Sequence, residues 1–260
     1  MAARLTLHDV NLRFGGVKVL EDVGFTVEPG QIFGLVGPNG AGKTSLFNCI
    51  SGHYKPTSGS IRIDDSEVAG VAPASLARHG LARTFQHPAL QLRASVLENV
   101  LLGAHTRLPG GPLTWSLRLP GTGRAERARR TEARELLERN GLGWAADLPA
   151  DELSHGLHKG IELCRALLMK PRLLLLDEPA AGLSHGEVEQ FSTTIKRLQA
   201  EDDITVVIVE HHMGLISALT DRVVVLDHGK KLMEGTAAQA QSDTRVIEAY
   251  IGKDAVDDAA

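Results

Sequence analysis

One stretch constrains this chain more than any other: "IFGLVGPNGAGKTSLFNCI", residues 32–50. An apolar run enters a glycine-rich loop that opens directly onto a segment with helical spacing. Gly37 to Thr44 fits the pattern G-x-x-x-x-G-K-[ST] in the context it requires, a strand before and a helix after. The glycines let the backbone turn so that successive N–H groups face the β- and γ-phosphates of a nucleotide. Lys43 adds a mobile positive charge, Thr44 offers a hydroxyl to Mg²⁺, and the helix N-terminus adds partial positive charge. The expected phosphate-binding set is Gly37, Pro38, Asn39, Gly40, Ala41, Gly42, Lys43, Thr44 and Ser45. A glycine-rich turn with a chance lysine would not put eight residues in register behind an apolar strand.

The second half of such a site stands in "LLLLDEP". Asp177 closes a buried run, where a magnesium-organising carboxylate belongs, because ligands of open α/β sheets bind outside the strand ends. Glu178, one residue on, can orient or polarise a water for attack on the γ-phosphorus. An acidic pair after four leucines could by itself merely end a strand. Coupled to the phosphate loop, it becomes the expected partner.

The 260 residues suit one large α/β domain carrying a sub-domain. Apolar residues at 43% and charged residues at 23% exclude a disordered or fibrous chain, and 4% aromatics make the core mainly aliphatic. A net charge of -4 gives no global attraction to nucleic acid. The arginines of "RAERARRTEARELLERNGL" alternate with glutamates at helical spacing, which reads as a solvated helix face with a stop at Gly141. Cys49 and Cys164 lack metal-type spacing and are expected as buried thiols. With no signal-peptide pattern and no apolar run long enough to span a bilayer, membrane contact is expected only through a partner.

Residues 4–35 read as antiparallel strands feeding the buried strand, "SGSIRIDDSEV" as a hairpin, and 75–80 as a short helix. A proline- and glycine-rich insertion at 107–123 interrupts helix between Glu98 and Arg139. "RLLLLDEP" and "TVVIVEH" read as parallel strands, "RVVVLDHGKKLMEG" as a hairpin, "SDTRVIEAYIG" as a closing helix, and residues 253–260 as a frayed tail.

With these motifs in this order, the chain resembles the nucleotide-binding subunits of ATP-binding cassette (ABC) proteins from about Leu5 to Gly252. The resemblance implies a P-loop NTPase fold: a RecA-like parallel core with an antiparallel β subdomain (about 1–85 and 165–252) and a helical subdomain (about 86–164). It implies that Gln86 in "RTFQHPAL" touches Mg²⁺ or the attacking water and senses a transmembrane partner. His211 in "VIVEHHM" would contact the γ-phosphate, with His212 offset toward the surface. Phe14 in "NLRFGGVKVL" would stack on adenine, although a lone Phe is ordinarily a core residue.

In "DELSHGLHKGIELCRAL", Ser154 and Gly156 hold the Ser and second Gly positions of the family signature, implied to contact the γ-phosphate held by an opposite subunit. His155 and Leu157 depart from that signature, yet the Ser154 hydroxyl and Gly156 N–H can still cap a phosphate. Leu157 removes a polar side chain, and Gly160 weakens the helix by about 1 kcal/mol relative to Ala, so slower closure is expected. Ser184 in "AAGLSHGE" replaces an Asp of many relatives, which implies altered communication between two sites.

"GPNGAGKTSLFNCISGHYKPTSG", "DEPAAGLSHGE" and "VEHHM" are similar to ATPase subunits of branched-chain amino-acid uptake systems. That implies an ATP- and Mg²⁺-dependent ATPase peripheral to the cytoplasmic face of the membrane. Its partners would be a second ATPase subunit, transmembrane permease subunits and, indirectly, an extracytoplasmic solute-binding protein, with no nucleic acid. The altered signature favours a heterodimer and leaves a homodimer open. Two alternatives stand beside it: a soluble non-transport ABC ATPase, and an ATP-binding subunit with weak hydrolysis.

Overall fold

The computed structural model describes residues 1–85, 89–103, 122–211 and 213–257. The alternating "LTLHDVNLRF" forms β1 (Leu5–Phe14), with Leu5, Leu7, Val10 and Leu12 buried. It pairs antiparallel with β2 (Val17–Val27) and β4 (Ser58–Ile63), and β5 (Ser66–Glu67) completes a four-stranded sheet ordered β2-β1-β4-β5.

Continuous apolar runs build a different sheet. Every residue of β3 (Ile32–Val36), β7 (Leu173–Asp177) and β8 (Thr205–Val209) is buried, the pattern of parallel strands covered on both faces. With β6 (Leu81–Arg83), β9 (Arg222–Asp227) and β10 (Lys230–Gly235) they form a six-stranded sheet ordered β10-β9-β3-β8-β7-β6, in which β10 alone runs antiparallel. Leu46, Phe47 and Ile50 of the helix Lys43–Ile50 share one buried cluster with residues of both sheets, and Phe25 stacks on Phe33 with centroids 5.2 Å apart. Gly52 (φ 76°) follows that helix.

The chain divides into two compact units, residues 1–83 with 172–260, and residues 84–171. Both sheets lie in the first. The second is helical, built on Val96–Leu101, Thr122–Arg139 and His155–Leu167. Its buried Asn99 donates to the carbonyls of Gln91 and Ser95 at 3.0 Å each and accepts from Gln91 N–H at 2.7 Å, tying the preceding loop to the first helix. Along Thr122–Arg139, Ala133, Leu136 and Leu137 are buried while Arg124, Arg127 and Arg130 are exposed and Arg129 is half-buried, so most of the arginine run is a solvated face.

Several boundaries differ from expectation. The short helix runs Pro73–Leu76 before a 3₁₀ turn, Ala77–His79, because Pro73 starts it at a position where proline lacks only an orphan N–H. The closing helix Thr244–Asp257 continues through residues expected as tail. Most of the 107–123 insertion lies outside the described residues, and helix resumes at Thr122. Cys49 and Cys164 are buried thiols, and burial pushes the Cys49 thiol up to about 11. Among the described residues no helix is long and apolar enough to cross a membrane.

Candidate nucleotide site

Strand register sets up the site. Leu35 of β3 lies beside Val209 of β8, and Val209 beside Asp177 of β7. Three adjacent parallel strands therefore end at one level, and the segments that leave them (Gly37 onward, Glu210–His211, and Glu178) start along one carboxyl edge of the sheet.

The loop after β3 takes positive φ at Gly37, Gly40 and Gly42 (145°, 76° and 100°). Gly37 has no substitute, since a Cβ there would overlap the carbonyl oxygen of Leu226. Gly42 is the N-cap of Lys43–Ile50, and no side chain caps that terminus, so backbone N–H donors of the first turn are the polar groups it presents. Thr44 is exposed and Ser45 half-buried. Lys43 differs from the mobile charge expected: it is buried, and its Nζ donates to the carbonyls of Gly37 at 2.7 Å and Pro38 at 2.9 Å. A buried ammonium needs acceptors, and its own loop supplies them.

Two further contacts brace the loop from behind. Gly37 N–H donates to Tyr250 Oη at 2.9 Å, and Gly229 N–H donates to Ala41 C=O at 3.0 Å. Burial pushes the Tyr250 phenol above its ordinary range, so it stays a neutral hydroxyl.

Asp177 is buried and paired. Its Oδ2 accepts from Arg83 Nη2 at 2.7 Å, and both side chains are under 10% exposed (9% and 8%). Arg83 also donates to Asn48 Oδ1 at 2.8 Å and Ser51 Oγ at 2.6 Å, and lies 5.3 Å from the Phe47 ring centroid. One guanidinium from β6 thus joins the carboxylate at the end of β7 to the far end of the phosphate-loop helix.

Glu178 adopts φ 44°, with its N–H donating to Val209 C=O at 3.0 Å. Of the described non-glycine residues with positive φ, Glu178 and Lys170 are the two that are neither Asp nor His, the types in that group that tolerate this region best. Such strain of about 1–3 kcal/mol persists where the surroundings over-determine it. His211 is 59% exposed. Beside it, Glu210 is 1% exposed and accepts from Ala180 N–H at 2.9 Å and His211 N–H at 3.1 Å. It ties the segment after Glu178 to the segment carrying His211, at the wall of a pocket of about 300 Å³ that Gly182, Leu183 and Val188 also line.

Phe14, expected to stack on a base, is 48% exposed and makes one T-shaped contact, with Tyr54 at a centroid distance of 5.2 Å, among the ring contacts of described residues. Gln86 and His212 lie outside the described residues. Thr44, Lys43, Asp177, Glu178 and His211 belong to the first unit, Ser154 and Gly156 to the second.

In the second unit, Ser154 is an exposed N-cap of His155–Leu167, and its Oγ is 3.5 Å from Leu157 N. The Gly156 N–H lies in the first turn, where helical partners are lacking. Gly160 has a packing reason that propensity alone does not reveal: a Cβ there would sit 3.1 Å from Leu142 Cδ1. In the first unit, Ser184 caps His185–Asp202 and donates to Glu187 Oε2 through both its N–H (2.8 Å) and Oγ (2.7 Å), so serine makes a good cap here.

Glu162, on the signature helix, is 2% exposed and accepts from Phe85 N–H at 3.0 Å and Arg165 at 3.2 Å. Burial raises its carboxyl pKa in spite of those donors. The folded state then holds the proton more tightly than the unfolded one, so this group's stabilisation is present at acid pH and fades as pH rises from about 4.5 through the raised folded value. Glu162→Gln lacks that slope. The stability of the variant minus that of wild type should rise between pH 4 and 7, and a flat difference in hydrogen exchange of helix 155–167 would remove Glu162 as the cause.

Arg83, Glu210, Gly229 and Tyr250 were not picked out from sequence. For the first two a signal existed: a charge at the end of an apolar strand run, "LAR" or "VVIVE", demands a buried partner.

The residues suit a nucleotide with its cation. Backbone N–H groups, an ammonium and a hydroxyl suit phosphate oxygens, and the Thr44 and Asp177 oxygens suit Mg²⁺. Among the described residues no group of three or more His, Cys, Asp or Glu could hold a metal alone. A cation bound through one or two protein oxygens and substrate phosphates needs no such cage.

A family model described as ABC transporter matches residues 20–181, and one described as branched-chain amino acid ATP-binding cassette transporter matches residues 230–256. The high-affinity branched-chain amino acid transport ATP-binding protein BraF of Pseudomonas aeruginosa is 37% identical over 249 residues, covering 96% of this chain and 98% of that protein. The corresponding protein LivG of Escherichia coli is 37% identical with the same coverage. A crystal structure of the ADP conformation of an ATP-binding cassette of an ABC transporter matches with a TM-score of 0.84 at 30% identity, covering 97% of this chain and 100% of that one. Matched along nearly its whole length in sequence and in backbone, the chain belongs to the nucleotide-binding ATPase subunits of the ABC transporter family.

Proposed function

We propose that this chain hydrolyses ATP to ADP and phosphate to power uptake of branched-chain or related amino acids. One row of the sheet carries the reading: Leu35, Val209 and Asp177 side by side, so that the phosphate loop, His211 and Glu178 leave the same edge. In this reading the loop from Gly37 to Ser45 cradles the phosphates, and Lys43 exchanges its two carbonyl acceptors for phosphate oxygens. Thr44, Asp177 and Gln86 hold Mg²⁺, which neutralises developing phosphate charge when bound. Glu178 orients the attacking water, His211 contacts the γ-phosphate and Phe14 receives adenine on its exposed side. The amino-acid class rests on the names of the relatives and on the match at residues 230–256.

Ser154 and Gly156 would act on nucleotide held by a second ATPase subunit, so turnover needs two subunits at the cytoplasmic face of a membrane permease. The deciding measurement is ATPase rate per chain against protein concentration, with Lys43→Ala as control. A rate that rises with concentration and vanishes in the control supports a self-completed site. ATP binding without turnover at any concentration supports a heterodimer with a partner of consensus signature. Absence of ATP binding would refute the reading.

A further inference from the structure

The C-terminal helix Thr244–Asp257 reaches back to the first residue of the phosphate loop, 213 positions earlier. Gly37 is buried, so its N–H must find an acceptor inside the protein, and the Tyr250 hydroxyl is that acceptor at 2.9 Å. The loop is braced again at Ala41, whose carbonyl takes the Gly229 N–H at 3.0 Å, while Gly229 C=O accepts from Glu21 N–H at 2.8 Å. At Gly37 itself the Leu226 carbonyl stands so close that no Cβ fits. Residues 226–250 therefore fix one side of the loop at three places, and buried Val246 anchors the helix that supplies the last.

We infer that Tyr250 is a positioning residue for nucleotide, holding the phosphate loop in its binding shape and coupling the C-terminal helix to the occupancy of the site. Without the hydroxyl, Gly37 N–H keeps its place unsatisfied or the loop turns to find water. The second path spares the fold and misaligns the donors that phosphate needs. The contacts at Ala41 and Leu226 remain, so the loop shifts at its start rather than collapsing.

The inference rests on the loop holding nucleotide, and two measurements separate its failure from the failure of that reading. In Tyr250→Phe, which keeps the ring, KM for ATP should rise about fivefold to 150-fold, the range an unsatisfied buried amide implies, with kcat within twofold once ATP saturates. A merely structural role would lower thermal stability without that split. In wild type, ATP should slow amide exchange across Thr244–Tyr250, because coupling is reciprocal. A KM within twofold of wild type, or exchange in that helix indifferent to ATP, overturns the inference; the second measurement decides even where the variant does not fold. Wild-type protein that binds no ATP overturns the nucleotide reading and this inference together, whereas binding without either effect overturns this inference alone.

Discussion

Glu178→Gln should lower kcat for ATP by about 10²- to 10⁴-fold, the usual worth of a positioned general base, while ATP affinity stays within a few-fold of wild type. Gln has nearly the size and shape of Glu but replaces one acceptor oxygen with an amide donor and cannot take a proton from water. The backbone also argues for a role at this position. Glu178 sits at φ 44°, held by its N–H on Val209 and by Ala181 N–H on its carbonyl at 3.2 Å, although glutamate gains nothing from that conformation. A residue chosen only to end β7 would be Gly or Asn, which adopt positive φ more cheaply. The strain instead follows from placing a long carboxylate just past the row that holds Asp177 and Val209. Single-turnover and steady-state rates with purified protein test this, alongside nucleotide titration. A variant that turns over within threefold of wild type would remove Glu178 from the chemistry. One that loses ATP binding would make it a ligand and not a base.

How far the chain could be read without coordinates depended on the range of each interaction. The strands β3, β7 and β8 announce themselves because burial on both faces forces unbroken apolar runs, and the phosphate loop because its backbone turns tolerate few side chains. Local spacing carries that information. Arg83, Glu210 and Tyr250 find their partners 94, 30 and 213 residues away, and nothing in a window around "LAR" or "EAY" names Asp177 or Gly37. Lys43 shows the same limit at short range: its identity was plain, but its inward turn onto two carbonyls depended on burial that the motif does not encode. By local propensity Gly160 is a helix defect, whereas its packing neighbour Leu142 lies on another segment. The Gln86 role stays a proposal from resemblance.

Arg83→Leu should destabilise the unit that holds both sheets by about 3–5 kcal/mol, the range for breaking one side of a buried ion pair. Asp177 is only 9% exposed on its side chain, so removing the guanidinium leaves a carboxylate that water reaches poorly. The loss does not stop there. Asn48 and Ser51 lose donors at 2.8 Å and 2.6 Å, and Phe47 loses the cation above its ring. Leucine replaces volume but none of these polar contacts. Arg83→Lys should fall between wild type and Arg83→Leu, because an ammonium carries the charge without the fork that reaches Asn48, Ser51 and Asp177 together. Pairing Arg83→Leu with Asp177→Leu should restore much of the stability, since an apolar pair of similar shape leaves no charge stranded, and should abolish ATP turnover. Amide exchange along β7 and β8 reads the effect in the affected unit itself. A shift below about 1 kcal/mol in Arg83→Leu would mean that Asp177 finds other solvation. The buried pair would then be no more than incidental. A large shift relieved by the double change would instead make Arg83 the residue that holds the Asp177 carboxylate in place inside an apolar sheet.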